Sequence, residues 1–291
     1  MASLMIGSKH IILNPSSHMI QQKPVNFLKK ISVDFGLIIP LMIVVFLLEV
    51  YFRPFHRGFF CSDTTIRYPL KVETVSSISL FLISLGFPLI FLGMGEILFA
   101  TEEDYDLDIN HHICRWRVHK GFVRTYDITV SFLFGFIVCL LIVVMSTHFL
   151  GKVRPNFYEA CQPSVNCTPD KPTYTYHENY TCRNESNERN ARLSFPSKHT
   201  TLCFYTMVYL CVYLQNKVRW DYLSVFNNCM QVTFMIVAWI VAISQMTDYV
   251  HHLEDIIAGI IIGSLVAWFN VCAVYNFFKQ RLRIDQVNTN P

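Results

Sequence analysis

Six stretches of the chain are apolar over lengths that matter, and the polar residues collect in blocks between them. The stretches run near 32–52, 76–99, 127–150, 200–214, 228–246 and 255–278. A helix rises about 1.5 Å per residue, so about 20 mostly apolar residues cross the hydrocarbon core of a bilayer. The fourth stretch, at about 15 residues, is the shortest and is expected to borrow its first turn from the loop before it. The third is interrupted only by small or mildly polar residues such as Ser131, Gly135 and Ser146. The pattern predicts an all-α polytopic membrane protein with six transmembrane helices. One membrane domain is expected over 32–278, flanked by tails at 1–31 and 279–291, with a long polar loop at 151–199.

Composition narrows the class. Hydrophobic residues make up 52% of the 291 and charged residues 15%, with a mean hydropathy of +0.34. A soluble domain carries about 25% charged residues, so this chain lacks the polar surface to cover a water-soluble globule of its size. No low-complexity tract and no period of 20–50 residues is present, which excludes disordered and repeat architectures. The net charge of +3 and the scatter of its basic residues exclude a nucleic-acid binder. His10, Asn14 and Lys23 break up the first 30 residues, which hold no apolar run of signal-peptide length, so the first helix is expected to do the targeting.

Six spans put both tails on one side. The charge rule for cytoplasmic loops barely decides which, since 13 of the 24 Lys and Arg residues fall in the tails and even loops and 11 in the odd loops. N-glycosylation acceptors decide instead: Asn166-Cys167-Thr168, Asn179-Tyr180-Thr181 and Asn184-Glu185-Ser186 all lie in the third loop, and no other segment carries one. That loop is expected in the lumen or outside the cell, with both termini cytoplasmic. Four of the ten cysteines, Cys61, Cys161, Cys167 and Cys182, fall on the same oxidising face. Two disulfides are expected there, with three connectivities open.

Unusual polar groups collect on that face as well. Loop three opens with Gly151-Lys152-Val153-Arg154-Pro155-Asn156 and closes with Ser194-Phe195-Pro196-Ser197-Lys198-His199, while loop five runs from Ser244 to Asp255. Two histidines from different loops, His199 and His251, can serve as general acid and nucleophile. Asp255, four residues after His251, shares a helical face with it and could hold the imidazole tautomer, although His252 at spacing three is also within reach. Arg154, Lys198 and the Ser197 hydroxyl offer donors for an anion with several oxygens, which points to phosphate. Lys152 reads as an interfacial anchor.

These segments resemble the three signatures of the lipid phosphate phosphatases, the membrane branch of the type 2 phosphatidic acid phosphatase family: KxxxxxxRP, PSGH and SRxxxxxHxxxD. Here they run from Thr147 to Arg154-Pro155, through Pro196-Ser197-Lys198-His199, and from Ser244-Gln245 through His251 to Asp255. Pro54 to Cys61, followed by Tyr68-Pro69, also looks like the first lumenal loop of these enzymes, and the likeness covers nearly the whole chain. The resemblance implies hydrolysis of lipid phosphate monoesters such as phosphatidate, lysophosphatidate and sphingoid or ceramide 1-phosphates. It implies His251 as nucleophile, Asp255 as its orienting partner, His199 as acid and then base, and Arg154, Ser197 and the backbone near Lys198 as phosphate ligands. No cofactor or metal is expected, and a homo-oligomer is compatible with the family. Three signature positions depart from the pattern. Thr147 replaces the first lysine, Lys198 the glycine and Gln245 the arginine, so two phosphate-binding cations are missing. PSKH also resembles relatives of the phosphatases that are regarded as inactive, which leaves a lipid- or partner-binding protein without turnover as the rival reading.

Overall fold

A computed structural model describes residues 25–98, 111–113, 116–117, 120–165, 167, 174–217 and 223–289. Its long helices are α1 (Phe27–Tyr51), α2 (Ser77–Leu98), α3 (Lys120–Leu150), α4 (Lys198–Lys217), α5 (Ser224–Thr247) and α6 (Leu253–Thr289). Each of the six expected stretches coincides with one of them. Ser76 caps α2 by accepting the backbone N–H of Ser79, and a π-helical turn at Leu82–Gly86 interrupts that helix.

Five of the six helices, all but α4, are long and apolar enough to cross a membrane. Their outward faces carry Leu37, Phe46, Ile97, Ile240 and Phe269, each more than half exposed. A surface of this kind is a liability in water and the expected surface against lipid, so the helices fit an integral membrane protein. The fourth stretch departs from the expectation for a physical reason. Helix α4 sits among α2, α3, α5 and α6, and Thr200, Thr201, Tyr205, Thr206 and Tyr209 are all buried. Shielded by other helices, it can carry hydroxyls provided they are paired. The Tyr205 hydroxyl donates to the Phe132 carbonyl at 2.7 Å, that of Thr206 to Ser84 at 2.8 Å and that of Tyr209 to Ile128 at 3.2 Å.

Helices α4 and α6 approach unusually closely because Gly259 and Gly263, four apart on α6, face α4. A Cβ at Gly263 would stand 2.4 Å from the Thr201 carbonyl oxygen, and one at Gly259 would stand 3.1 Å from that of Ser197. Small residues at this spacing let helix backbones meet. The contact draws the N-terminus of α6 onto the N-terminus of α4. At the opposite end of the bundle, Glu96 is buried and accepts from the Tyr213 hydroxyl at 2.8 Å and from Lys217 at 2.9 Å.

The long polar segments form a cap over one end of the bundle. A two-stranded antiparallel pair in this cap joins Phe59–Phe60 to Tyr176–His177, and at the opposite end, where α1 and α3 begin, a second small sheet joins Val25–Asn26, His111–Ile113 and Trp116–Arg117. Neither was part of the all-α expectation, because two- and three-residue strands leave no usable alternation in the sequence. Of the open disulfide connectivities the structure takes Cys61–Cys167 and Cys161–Cys182. Around them Phe59, Ile66, Phe157, Tyr180 and Ala191 make a core separate from that of the helices. Asn179 is exposed on this cap and Asn184 precedes the short helix Glu185–Glu188, whereas Asn166 lies outside the described residues.

Candidate active site

Four helix ends deliver the polar residues to one place. Helix α3 stops at Gly151, whose φ of +53° suits glycine and whose Cβ, were there one, would stand 2.0 Å from the Phe55 carbonyl oxygen. The next residues, Lys152 to Asn156, then cross the top of the bundle. Ser197 caps α4, its hydroxyl oxygen accepting from the Thr200 N–H at 3.4 Å and the Thr200 hydroxyl at 3.0 Å. After α5 the chain reverses through Tyr249, at φ +57°, and the N–H groups of Val250 and His251 both donate to the Gln245 carbonyl. The carboxylate of Asp255 reaches back to the His252 N–H at 3.0 Å, which caps the start of α6.

His251 is buried, and its Nδ1 lies 2.7 Å from the Ser194 carbonyl oxygen. A carbonyl can only accept, so Nδ1 carries the proton and the neutral ring keeps a lone pair on Nε2. Burial, reinforced by the Arg154 charge, pushes the His251 pKa down to about 3. The ring is therefore uncharged at neutral pH, as a nitrogen nucleophile must be. The ring of His199 hydrogen-bonds the backbone of Val75, and its Nε2 is buried without a partner. Arg154 acts electrostatically on both histidines. Its Nε donates to the Leu193 carbonyl at 3.4 Å, and one terminal nitrogen lies 3.7 Å from Glu73. His251, His199 and Arg154, from three separate segments, thus form one cluster.

The other expected residues are distributed differently. Asp255 is fully buried, yet its nearest carboxylate oxygen is 3.9 Å from His251 Nδ1, beyond hydrogen-bond range. It instead accepts from the Ser194 hydroxyl at 2.6 Å and from Lys152 at 2.7 Å. Lys152, expected only as an interfacial anchor, is therefore a partner of the site and also pairs with Glu254. The Lys198 side chain leaves the cluster for Glu49, 3.6 Å away. Thr147 is buried and turns its hydroxyl back onto the Val143 and Val144 carbonyls of its own helix at 3.0 Å. Gln245 is fully buried with its side-chain oxygen unpartnered. A cavity of about 650 Å³ has Arg57, Phe60, Lys152, His252, Leu253 and Ile257 on its walls and is not lined by His251, His199 or Arg154.

Ser194 and Asp248 lie in polar segments that the sequence singles out but receive no role there, and Glu73 lies outside those segments. Asp248 accepts the Thr74 N–H at 2.6 Å and the Thr74 hydroxyl at 2.9 Å, while Tyr68 stacks on Tyr249 at 4.5 Å. These contacts dock the first loop onto the fifth and bring Glu73 and Val75 to Arg154 and His199. Two of the three carry a sequence signal: Ser194 opens the segment that ends at His199, and Asp248-Tyr249 ahead of His251-His252 is family-like.

The helical bundle thus has an apolar outer surface and, at one end, a cluster of two buried histidines and a half-buried arginine. Comparison with known proteins gives the family. The PAP2 superfamily pattern matches residues 128–279. Phospholipid phosphatase 2 of Homo sapiens is 30% identical over 78% of this chain and 76% of its own length. Phospholipid phosphatase 1 of Rattus norvegicus is 31% identical over 78% of each chain. A putative phosphatidate phosphatase of Drosophila melanogaster is 28% identical over 78% of this chain and 64% of its own. No solved structure matches. The chain belongs to the PAP2 superfamily.

Proposed function

We propose that the protein hydrolyses lipid phosphate monoesters, with phosphatidate, lysophosphatidate and sphingoid or ceramide 1-phosphates as the substrate class. The observation that carries this reading is the His251 ring, held through Nδ1–H by a carbonyl and neutral at Nε2, in one cluster with Arg154 and the unpartnered Nε2 of His199. Nε2 of His251 attacks phosphorus as the bond to the lipid oxygen breaks, giving a phosphohistidine. His199, charged beside the phosphate dianion, gives its proton to the leaving alkoxide. The neutral His199 then takes a proton from water as the water oxygen attacks phosphorus. The P–N bond breaks, inorganic phosphate leaves and His251 is restored. Arg154 and the N-terminal turn of α4 at Ser197 stabilise the charge on the equatorial oxygens.

In this reading α4 is the fourth of six spans, crossing the bilayer inside the bundle. The capped end faces the lumen or the cell exterior, and both tails are cytoplasmic. The three acceptor sequons and the two disulfides in the cap support that orientation.

One set of observations favours a second reading, a phosphatase relative that binds lipid or a membrane partner without turnover. Thr147 and Gln245 are neutral where the family pattern has cations, and Lys198 is paired with Glu49 rather than with the cluster. The two are separated by phosphate release from phosphatidate and lysophosphatidate in detergent micelles, comparing the wild type with His251→Ala in the presence of chelator. Release that is lost in the variant supports the enzyme. Equal background release from both supports the silent relative.

A further inference from the structure

Ser194 stands between the two residues that the family pattern links directly. Its hydroxyl donates to Asp255 Oδ2 at 2.6 Å, its carbonyl accepts His251 Nδ1–H at 2.7 Å, and its N–H donates to the Lys152 carbonyl at 3.1 Å. It is fully buried. Asp255, by contrast, has no hydrogen bond to His251. One of its oxygens takes Lys152 at 2.7 Å, and the other takes the Ser194 hydroxyl and the His252 N–H. A carboxylate satisfied in this way has little capacity left to choose the tautomer of a ring 3.9 Å away.

We propose that Ser194 is the positioning residue of His251: Asp255, itself fixed by Lys152, anchors the Ser194 hydroxyl, and the carbonyl of the same residue sets the tautomer and aim of the imidazole. The inference rests on the reading of His251 as nucleophile. The contacts run from Lys152 through Asp255 to the Ser194 hydroxyl and, from the carbonyl of the same residue, to His251; the link across Ser194 is positional, because its hydroxyl and carbonyl are separate groups. Asp255 still senses the charge that develops on the ring during attack, but its grip on ring orientation is indirect. The device places the orienting contact on main chain, where no change of side chain at position 194 removes the acceptor and only its anchoring is lost.

The test is a kinetic cycle of Ser194→Ala, Asp255→Asn and the double variant, alongside nitrogen-15 NMR of the His251 ring. Ser194→Ala keeps the Lys152 and His252 contacts of Asp255, so its melting temperature is expected to stay near that of the wild type. Its kcat is expected to fall about 10- to 100-fold with KM little changed, a loss of the size that follows when the partner orienting a metal-bound histidine is removed. The double variant is expected to be no slower than Asp255→Asn, because both changes cut one chain. Full kcat in Ser194→Ala, or losses that multiply in the double variant, overturns the relay and leaves the nucleophile reading untouched. If His251→Ala keeps wild-type turnover, or the wild type has none, the nucleophile reading fails and the spectrum alone decides the relay. A single Nδ1–H signal in the wild type that becomes a tautomer mixture in Ser194→Ala supports it. An identical spectrum in both refutes it.

Discussion

Lys198 and Glu49 face each other at 3.6 Å, the lysine from the first turn of α4 and the glutamate from the last turns of α1. Lys198 stands where the family signature has glycine; its ammonium pairs with Glu49, and its charge still acts on His199 but not on His251. It does not make good the two cations missing at Thr147 and Gln245. That leaves Arg154 as the cation whose field reaches both histidines.

Restoring those cations is therefore expected to raise turnover. Hydrogen bonds to a charged group contribute about 1.5–3 kcal/mol, which corresponds to about a tenfold to hundredfold gain for each of Thr147→Lys and Gln245→Arg. Both sites are buried, so the phosphate must be present to balance the new charge. The gain is expected in kcat/KM at saturating folding yield, measured as phosphate release. No gain from either variant or from the pair refutes cation deficit as the limit on rate.

The depressed pKa of His251 has a sign that can be checked. In the unfolded chain the ring titrates near 6.5, and in the buried site near 3. Between these values the unfolded state binds the extra proton, so stability rises with pH across this window. It is complete above about 6.5 and is lost as pH falls toward 3. His251→Gln, which has no titrating ring, is expected to flatten the acid side of a melting-temperature profile. In activity, the nucleophile stays unprotonated below pH 6.5, so the acid inflection of kcat/KM for the wild type is expected well under that value. An inflection near 6.5 that disappears in no other histidine variant would contradict the burial account.

Cys61–Cys167 joins segments 106 residues apart and ties loop one, with Glu73, Thr74 and Val75, to loop three. Helices embedded in a bilayer keep much of their order when tertiary contacts are lost, so the stabilisation is expected at the low end of the usual range, about 2 kcal/mol. Cys61→Ser with Cys167→Ser is expected to lower the melting temperature and also kcat/KM, because Arg154 and His199 lean on loop one. Unchanged kinetics in the double variant would mean that the Thr74–Asp248 contacts hold the loop unaided.

Orientation is testable through the sugar acceptors. Asn179→Gln and Asn184→Gln are each expected to remove one endoglycosidase-sensitive increment from the mobility of protein expressed in a glycosylating host. Mobility that is insensitive to endoglycosidase in the wild type would argue for the opposite topology.

Much of the fold was legible in the sequence because long apolar runs have few alternatives in a membrane. Helix α4 was the exception in kind: its buried threonines and tyrosines dilute the apolar signal, since a helix wrapped by helices is selected for packing rather than for contact with lipid. Likewise His251, His199 and Arg154 could be found because motif spacing carries them. The Ser194 link could not. It depends on a main-chain carbonyl, which every residue has, and on a loop path fixed by Gly151, the cap disulfides and the Gly259–Gly263 contact. Lys152 was misread for the same reason, since a lysine just beyond a helix end has the same sequence appearance whether it snorkels or pairs with a buried aspartate.

The central claim is that His251 is the nucleophile, and the most direct measurement is capture of the intermediate. Lysophosphatidate labelled with phosphorus-32 is mixed with enzyme in micelles, quenched in alkali within milliseconds and analysed for protein-bound label. The account predicts an alkali-stable, acid-labile phosphoryl group on His251 that is absent in His251→Ala and accumulates in His199→Ala when the leaving group is good enough to need no acid. Turnover without any label on His251, or label that persists in His251→Ala, would contradict it.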